Sequence, residues 1–116
     1  MSMEKFIKQQ IPDWPALTVR KNGTICINHR AIEQFDLKDK QFVTPHFDSK
    51  EPVIGIKPMA DHSDPSAFRI SKEKNRTFVI SCQSFLKHCE IPYTEGSKIY
   101  RAGWDEKGKM ILVKIG

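Results

Sequence analysis

The sequence of 116 residues has few of the features that mark a membrane-spanning or secreted protein. It contains no run close to the roughly 20 apolar residues needed to span a bilayer, and residues 1–11 are too polar for a secretory signal. Its cysteines, Cys26, Cys82 and Cys89, are odd in number and lack the close paired spacing of a disulfide or zinc framework. We therefore expect a cytoplasmic protein without membrane contact, whose cysteines are reduced core thiols.

The sequence also lacks the motifs of common catalytic and cofactor sites. It has no Gly-rich phosphate loop and no dinucleotide fingerprint, and its four histidines are dispersed, without metal-ligand spacing. Residues 61–64 contain the residue types of a catalytic triad, but neighbours on one loop do not line up as nucleophile, base and orienting group. His88 and Cys89 are adjacent on a short helix and point to different faces. We expect a protein that is not an enzyme and holds no cofactor or metal.

A modest excess of positive charge is present. Nineteen Lys and Arg against fourteen Asp and Glu give a formal net charge of +5. Residues 1–59 carry nine basic and seven acidic side chains, or +2, and residues 60–116 carry ten and seven, or +3. This balance fits a polyanionic partner and also many ordinary proteins. Any basic patch must therefore be assembled by folding, since no block of the sequence supplies one.

The sequence indicates two tandem copies of one structural unit, because its two halves align with each other. Residues 17–21 align with residues 68–72, and residues 22–28 align with residues 75–81 after a loop that is two residues longer. Further along, Ile32 falls on Phe85 and Leu37 falls on Ile91.

The closing part of each copy aligns as well. Residues 47–50 match residues 104–107, and residues 53–56 match residues 110–113. Between residues 39 and 47 the sequence determines the alignment of the two copies only to within one residue, and a gap or a β-bulge would account for the difference.

The residue pattern of each copy predicts a hairpin, a short helix and a second hairpin. Leu17 and Val19 alternate with polar residues, and a turn at Gly23 tolerates a positive φ. Asn28 is a suitable helix N-cap in the first copy, and Ser81 takes that place in the second. The first helix presents Ile32 and Phe35 on one face, and the second presents Phe85 and Cys89.

The domain organisation follows from the repeat. Residues 1–15 are predicted to be an N-terminal arm, and residues 16–116 a single barrel domain made of repeat one (16–58), a linker (59–66) and repeat two (67–116). One copy is too small to bury its hairpins alone. We therefore predict a mainly β fold with short α-helices, in which the two hairpin–helix–hairpin repeats form one pseudo-two-fold swapped-hairpin barrel without exposed edges.

The pattern of residues 19–28, 35–37 and 39–41, repeated more weakly at 89–91 and 95–97, resembles the AbrB/SpoVT swapped-hairpin superfamily, in the tandem, MraZ-like arrangement. The resemblance implies a DNA-binding regulator or antitoxin-like protein, as a monomer with a pseudo-two-fold axis or as a homodimer. Asn28 stands where the family often has proline, and Asp36 and Glu90 replace its glycine. Ile32 and Glu33 occupy helix positions that often carry arginine in the family's DNA binders.

Basic residues of the hairpins and the first helix are the candidate contacts to phosphates of double-stranded DNA. The other interpretation is that they only keep the hairpins soluble and block edge pairing. The candidate residues are Arg20, Lys21, Arg30, Arg69, Lys72, Lys74 and Arg76.

A protein-protein interaction module is the alternative function. Its contacts would come from Phe6, Ile7 and Trp14 in the N-terminal arm, or from the loop around Trp104. Such an interface would depend on apolar area and little on salt. Trp14 also has a structural interpretation, in which it pins the arm to the body of the domain.

Overall fold

The computed structural model describes residues 13–73 and 76–116. This part of the chain folds into two antiparallel five-stranded sheets and two short helices, which confirms the prediction of a mainly β fold. No helix in it is long and apolar enough to cross a membrane. The predicted contacts Phe6, Ile7 and Lys74 lie outside the described residues.

The elements alternate hairpins and helices along the chain. They are β1 (Ala16–Val19), β2 (Thr24–Ile27), α1 (His29–Gln34), β3 (Phe42–Asp48), β4 (Val53–Met59), β5 (Phe68–Arg69), β6 (Ser71–Lys72), β7 (Phe78–Ser81), α2 (Gln83–His88), β8 (Lys98–Arg101), β9 (Gly103–Asp105) and β10 (Met110–Lys114). The first sheet has the order β6-β7-β2-β1-β8, and the second has the order β5-β3-β4-β10-β9. Each sheet therefore contains strands from both halves of the sequence.

Two strand regions pass from one sheet to the other. β5 belongs to the second sheet and β6 to the first, with Ile70 between them; β8 and β9 are divided in the same way at Ala102. The N–H of Ile70 donates to the carbonyl of Gln41 (2.8 Å), and the N–H of Ala102 donates to that of Pro15 (3.0 Å). The backbone thus stays hydrogen-bonded where each strand changes sheets, and the two sheets are connected along these edges.

One core cluster of buried side chains includes residues of both sheets and both helices. The alternation predicted for the first hairpin holds, since Leu17 and Val19 are buried. Their largest fully buried companions are Ile25, Ile27, Leu37, Val43, Ile54, Ile56, Ile80, Leu86, Ile111 and Val113. The strand residues among these lie on the inner face of each sheet, as a period of two requires, while Cys26 and Gly55 on the opposite faces of the central strands are also buried.

The central strand pair of each sheet joins the two halves of the chain. β2 pairs with β7, and Cys26 lies opposite Val79. β4 pairs with β10, and Gly55 lies opposite Leu112. Cys26 and Val79 are matched in the alignment of the two halves of the sequence, and so are Gly55 and Leu112. Each of these residues therefore faces its own counterpart in the other half.

The predicted two-residue longer loop in the second hairpin is wrong. The N–H of Arg20 donates to the carbonyl of Thr24 (2.8 Å), and the N–H of Glu73 donates to that of Thr77 (2.9 Å), so the two turns have equal length. An alignment of the two halves that matches these turns places Val19 on Lys72 and not on Ile70. A shift by two residues keeps every side chain on the same face of the sheet, which is why the alternation did not reveal the error.

The predicted start of the second helix is displaced by one residue. Cys82, and not Ser81, is the N-cap residue of α2, and its side chain makes no capping hydrogen bond. In consequence Leu86 is the buried residue of this helix, while Phe85 is only half-buried. The predicted N-cap of α1 is confirmed, because the side chain of Asn28 accepts a hydrogen bond from the N–H of Ala31.

Candidate nucleic-acid interface

A cavity of about 500 Å³ lies between α1 and the turn of the second hairpin. Its lining combines apolar, cationic and acidic side chains. The residues are His29, Ile32, Lys38, Lys72, Glu73, Arg76 and Phe78. The cavity is within the usual size range for small-molecule sites, roughly 300–1,000 Å³.

The apolar part of the lining is well buried. Ile32 is 4% exposed and Phe78 is 3% exposed, and both belong to the core cluster. The ammonium of Lys72 lies over the ring of Phe78, 5.6 Å from its centroid. The floor of the cavity is therefore fixed by core packing, with a cation held at its edge.

The polar lining has an excess of positive charge. Lys38, Lys72 and Arg76 are exposed cations, and Glu73 is the one carboxylate among the lining residues. Three positive charges against one negative charge leave a formal +2 around the cavity, without counting His29. The ring of His29 contacts the carboxylate of Glu33 at 2.9 Å.

The cavity exists because the two hairpin turns approach their neighbouring helices differently. The first turn packs closely on α2: the carbonyl of Gly23 accepts a hydrogen bond from the N–H of Cys82 (3.3 Å), and a Cβ added to Gly23 would lie 2.9 Å from Cβ of Gln83. In the second turn Arg76 takes the place of Gly23, with a φ of 57°. Its Cβ prevents the same close approach, so space remains between this turn and α1.

Arg20 is held by an acidic partner in the other hairpin. Its guanidinium donates to both carboxylate oxygens of Glu73, at 3.3 and 3.1 Å. This hydrogen bonding is the main cause that lowers the pKa of Glu73 and raises the pKa of Arg20. The charge of Arg20 is thus largely matched within the chain, unlike those of the exposed cations at the cavity.

The other residues predicted to contact DNA do not all lie together. Lys72 and Arg76 meet at the cavity. Lys21 lies in the first turn, where its backbone N–H donates to Oγ of Ser97 (3.1 Å), while Arg30 and Arg69 are exposed on α1 and β5.

Sequence reasoning missed Lys38. It follows the buried Leu37 just after α1, and Asp36, which precedes Leu37, has a φ of 56°. The sequence feature that could have indicated Lys38 is the short segment after the helix, because a buried Leu37 leaves the side chain of the next residue exposed. Its proximity to the second hairpin depends on tertiary packing.

The two tryptophans of the alternative interface make contacts within the chain. Trp104 stacks on Phe35, with ring centroids 5.4 Å apart and planes 23° from parallel, and its Nε1–H donates to Glu106 at 2.6 Å. The guanidinium of Arg101 lies 4.7 Å from the centroid of the Trp14 ring. Both tryptophans are half-buried, so each has only part of its surface available to a partner.

The thiols and histidines of the described residues do not form a metal site. No group of three or more His, Cys, Asp or Glu side chains in residues 13–73 and 76–116 is arranged to hold a metal ion. Cys26, Cys82 and Cys89 are free thiols. Burial raises the pKa of each, that of Cys82 to about 12.

No protein-family model, curated protein or solved structure is similar enough to the chain to count as a match.

Proposed function

We propose that the chain is a duplicated swapped-hairpin barrel that binds double-stranded DNA, as a regulator or antitoxin-like protein does. The observation that carries the proposal is the group of exposed cations at the cavity, Lys38, Lys72 and Arg76, which contact no carboxylate among the described ion pairs. Cations that are exposed and unmatched can replace the counterions of DNA phosphates.

The strand pairing supports the duplicated barrel. A two-fold axis through an antiparallel strand pair places each residue on the axis opposite its own equivalent. The opposition of Cys26 to Val79, and of Gly55 to Leu112, is the register that such an axis requires. The strands that change sheets at Ile70 and Ala102 support closure, because they leave fewer free edges.

The helix ends support the family resemblance. Asp36 and Glu90, which stand where the family has glycine, adopt φ values of 56° and 55°. Glycine is the residue that favours this left-handed region. Both helices therefore end with the backbone conformation that the family's glycine would supply, although the side chains differ.

Titration with DNA at several salt concentrations tests the proposal. Fluorescence anisotropy of a labelled generic duplex should give a log-log slope of about −0.9 per phosphate neutralised, or about −3 for three cations. The double variant Lys38→Ala/Lys72→Ala should reduce the slope by about 2. The matched control Lys107→Ala/Lys109→Ala, in the turn between β9 and β10, should leave it nearly unchanged. Absence of binding at low salt, or equal losses in both variants, contradicts the proposal.

Protein-protein interaction is the second candidate. Ile99 is 51% exposed on β8, which is an edge strand of the first sheet, and Leu112 is 37% exposed on β10. An edge strand with an exposed apolar side chain can pair with a strand of another chain. Ile99→Lys should abolish such binding, which should show little salt dependence.

A further inference from the structure

The cavity between α1 and the second hairpin is larger than DNA binding requires. A backbone phosphate needs only surface cations. The cavity of about 500 Å³ also has an apolar floor, formed by Ile32 and Phe78, which a phosphate on a duplex would not contact. The floor and the volume indicate a small molecule with an apolar part.

The lining restricts the chemistry of that molecule. Lys38, Lys72 and Arg76 favour a phosphate, since an arginine can bind phosphate oxygens with two hydrogen bonds. Glu73 can also accept from the ligand: Arg20 bonds both carboxylate oxygens, but each oxygen can accept a second hydrogen bond. Ile32 and Phe78, 4% and 3% exposed, supply the apolar part of the lining and favour a flat apolar group.

We propose that this cavity binds a free nucleoside monophosphate, with its phosphate at Lys38, Lys72 and Arg76 and its base over Ile32 and Phe78. An amino or hydroxyl group of the nucleoside donates to Glu73. The proposal does not depend on DNA binding. The two use the same cations, so the nucleotide competes with DNA if both occur.

Of the two places where a hairpin turn lies beside a helix in residues 13–73 and 76–116, only the one beside α1 has such a site. The corresponding space beside α2 is filled, because Gly23 packs against Gln83 so closely that an added Cβ would come within 2.9 Å of that side chain. Binding should therefore saturate at one nucleotide per chain, although the fold has two hairpin turns beside two helices.

Calorimetric titration with adenosine 5′-monophosphate, without DNA, tests the proposal, with adenosine and inorganic phosphate as separate ligands. Saturable binding at one site per chain, at least about tenfold tighter than either fragment, supports it. Equal affinity for inorganic phosphate means a simple anion site and overturns it. Equal affinity for adenosine removes the role of the cations, and no binding at millimolar nucleotide removes the site.

Two variants locate the binding. Arg76→Asn removes the guanidinium, keeps the Cβ that holds the turn away from α1, and places a residue that tolerates a φ of 57°, so it should weaken nucleotide binding by about tenfold. Lys109→Asn makes the same kind of change at a φ of 53° in the turn between β9 and β10, and should change the affinity less than twofold. Amide chemical shifts should move at Ile32 and Phe78 on titration. Shifts confined to other residues, or equal losses in the two variants, contradict the assignment.

Discussion

Arg20 and Glu73 are 53 residues apart in the sequence, and each begins the turn of a hairpin. Their side chains form a bidentate ion pair. The Cys26 thiol lies close enough that Arg20 lowers its pKa and Glu73 raises it, although burial is the larger effect. The pair therefore joins the two halves of the chain above the central strand pair of the first sheet. It also removes Arg20 from the set of unmatched cations.

This ion pair should make stability depend on pH in a defined direction. The pKa of Glu73 is lowered from its ordinary 4.5 by hydrogen bonds from Arg20, so the pair stabilises the fold fully above pH 4.5 and stops doing so as the pH falls through the lower folded-state value. Glu73→Gln should lower the Tm at pH 7, and the difference from the parent should vanish at low pH. Thermal unfolding between pH 7 and pH 2.5 measures this. Glu51→Gln, in the turn between β3 and β4, is the control, and a constant difference for Glu73→Gln contradicts the account.

Arg76→Gly should separate DNA binding from stability. Removal of the guanidinium should weaken DNA binding and reduce the log-log salt slope by about 1. Stability should be unchanged or rise by about 1 kcal/mol, because glycine relieves the left-handed backbone. Anisotropy and urea denaturation measure the two effects. Lys109→Gly should show the stability effect alone, and a loss of stability in Arg76→Gly would mean that its side chain is structural.

The sequence was sufficient to predict the hairpins, the Asn28 cap and the inward positions Leu17 and Val19, because these depend on local periodicity and turn chemistry. It was insufficient for the first strand of the second half, since a two-residue shift preserves alternation. The cavity depends on how each turn packs on a helix in the folded chain: Gly23 permits close packing on α2, and Arg76 does not permit it on α1. No local pattern contains that difference.

The helix-terminal residues with positive φ should respond unequally to glycine. Glu90→Gly should raise the free energy of unfolding by about 1 kcal/mol, because a long side chain is strained at a φ of 55°. Asp36→Gly should raise it less, since aspartate tolerates this region better. Urea denaturation of both variants measures the difference. A loss of stability in Glu90→Gly would mean that its side chain makes a contact worth more than the backbone strain.

Asn28 should be more important for stability than a helix cap alone. Its Oδ1 accepts hydrogen bonds from the N–H groups of Ala31 and Ala16, both at 3.0 Å, and its Nδ2 donates to the carbonyl of Trp14 at 2.9 Å. Asn28→Ala should therefore cost about 2 kcal/mol, the upper end for a cap. Asn28→Asp keeps the acceptor and loses the donor, so it should cost less in urea denaturation. Equal costs would assign the effect to the Trp14 contact.

The thiols should label in the order of their burial. Cys82 has a pKa raised to about 12 by burial, so roughly one thiol in ten thousand is ionised at pH 8, and only the thiolate reacts readily. Cys89 is half-buried and should react first with iodoacetamide, while Cys26 and Cys82 should react only when the chain unfolds. Peptide mass mapping after timed labelling measures each rate, with guanidinium-unfolded protein as the control. Fast labelling of Cys82 in native protein would mean that the start of α2 opens without global unfolding, and would contradict the close packing of the first turn on that helix.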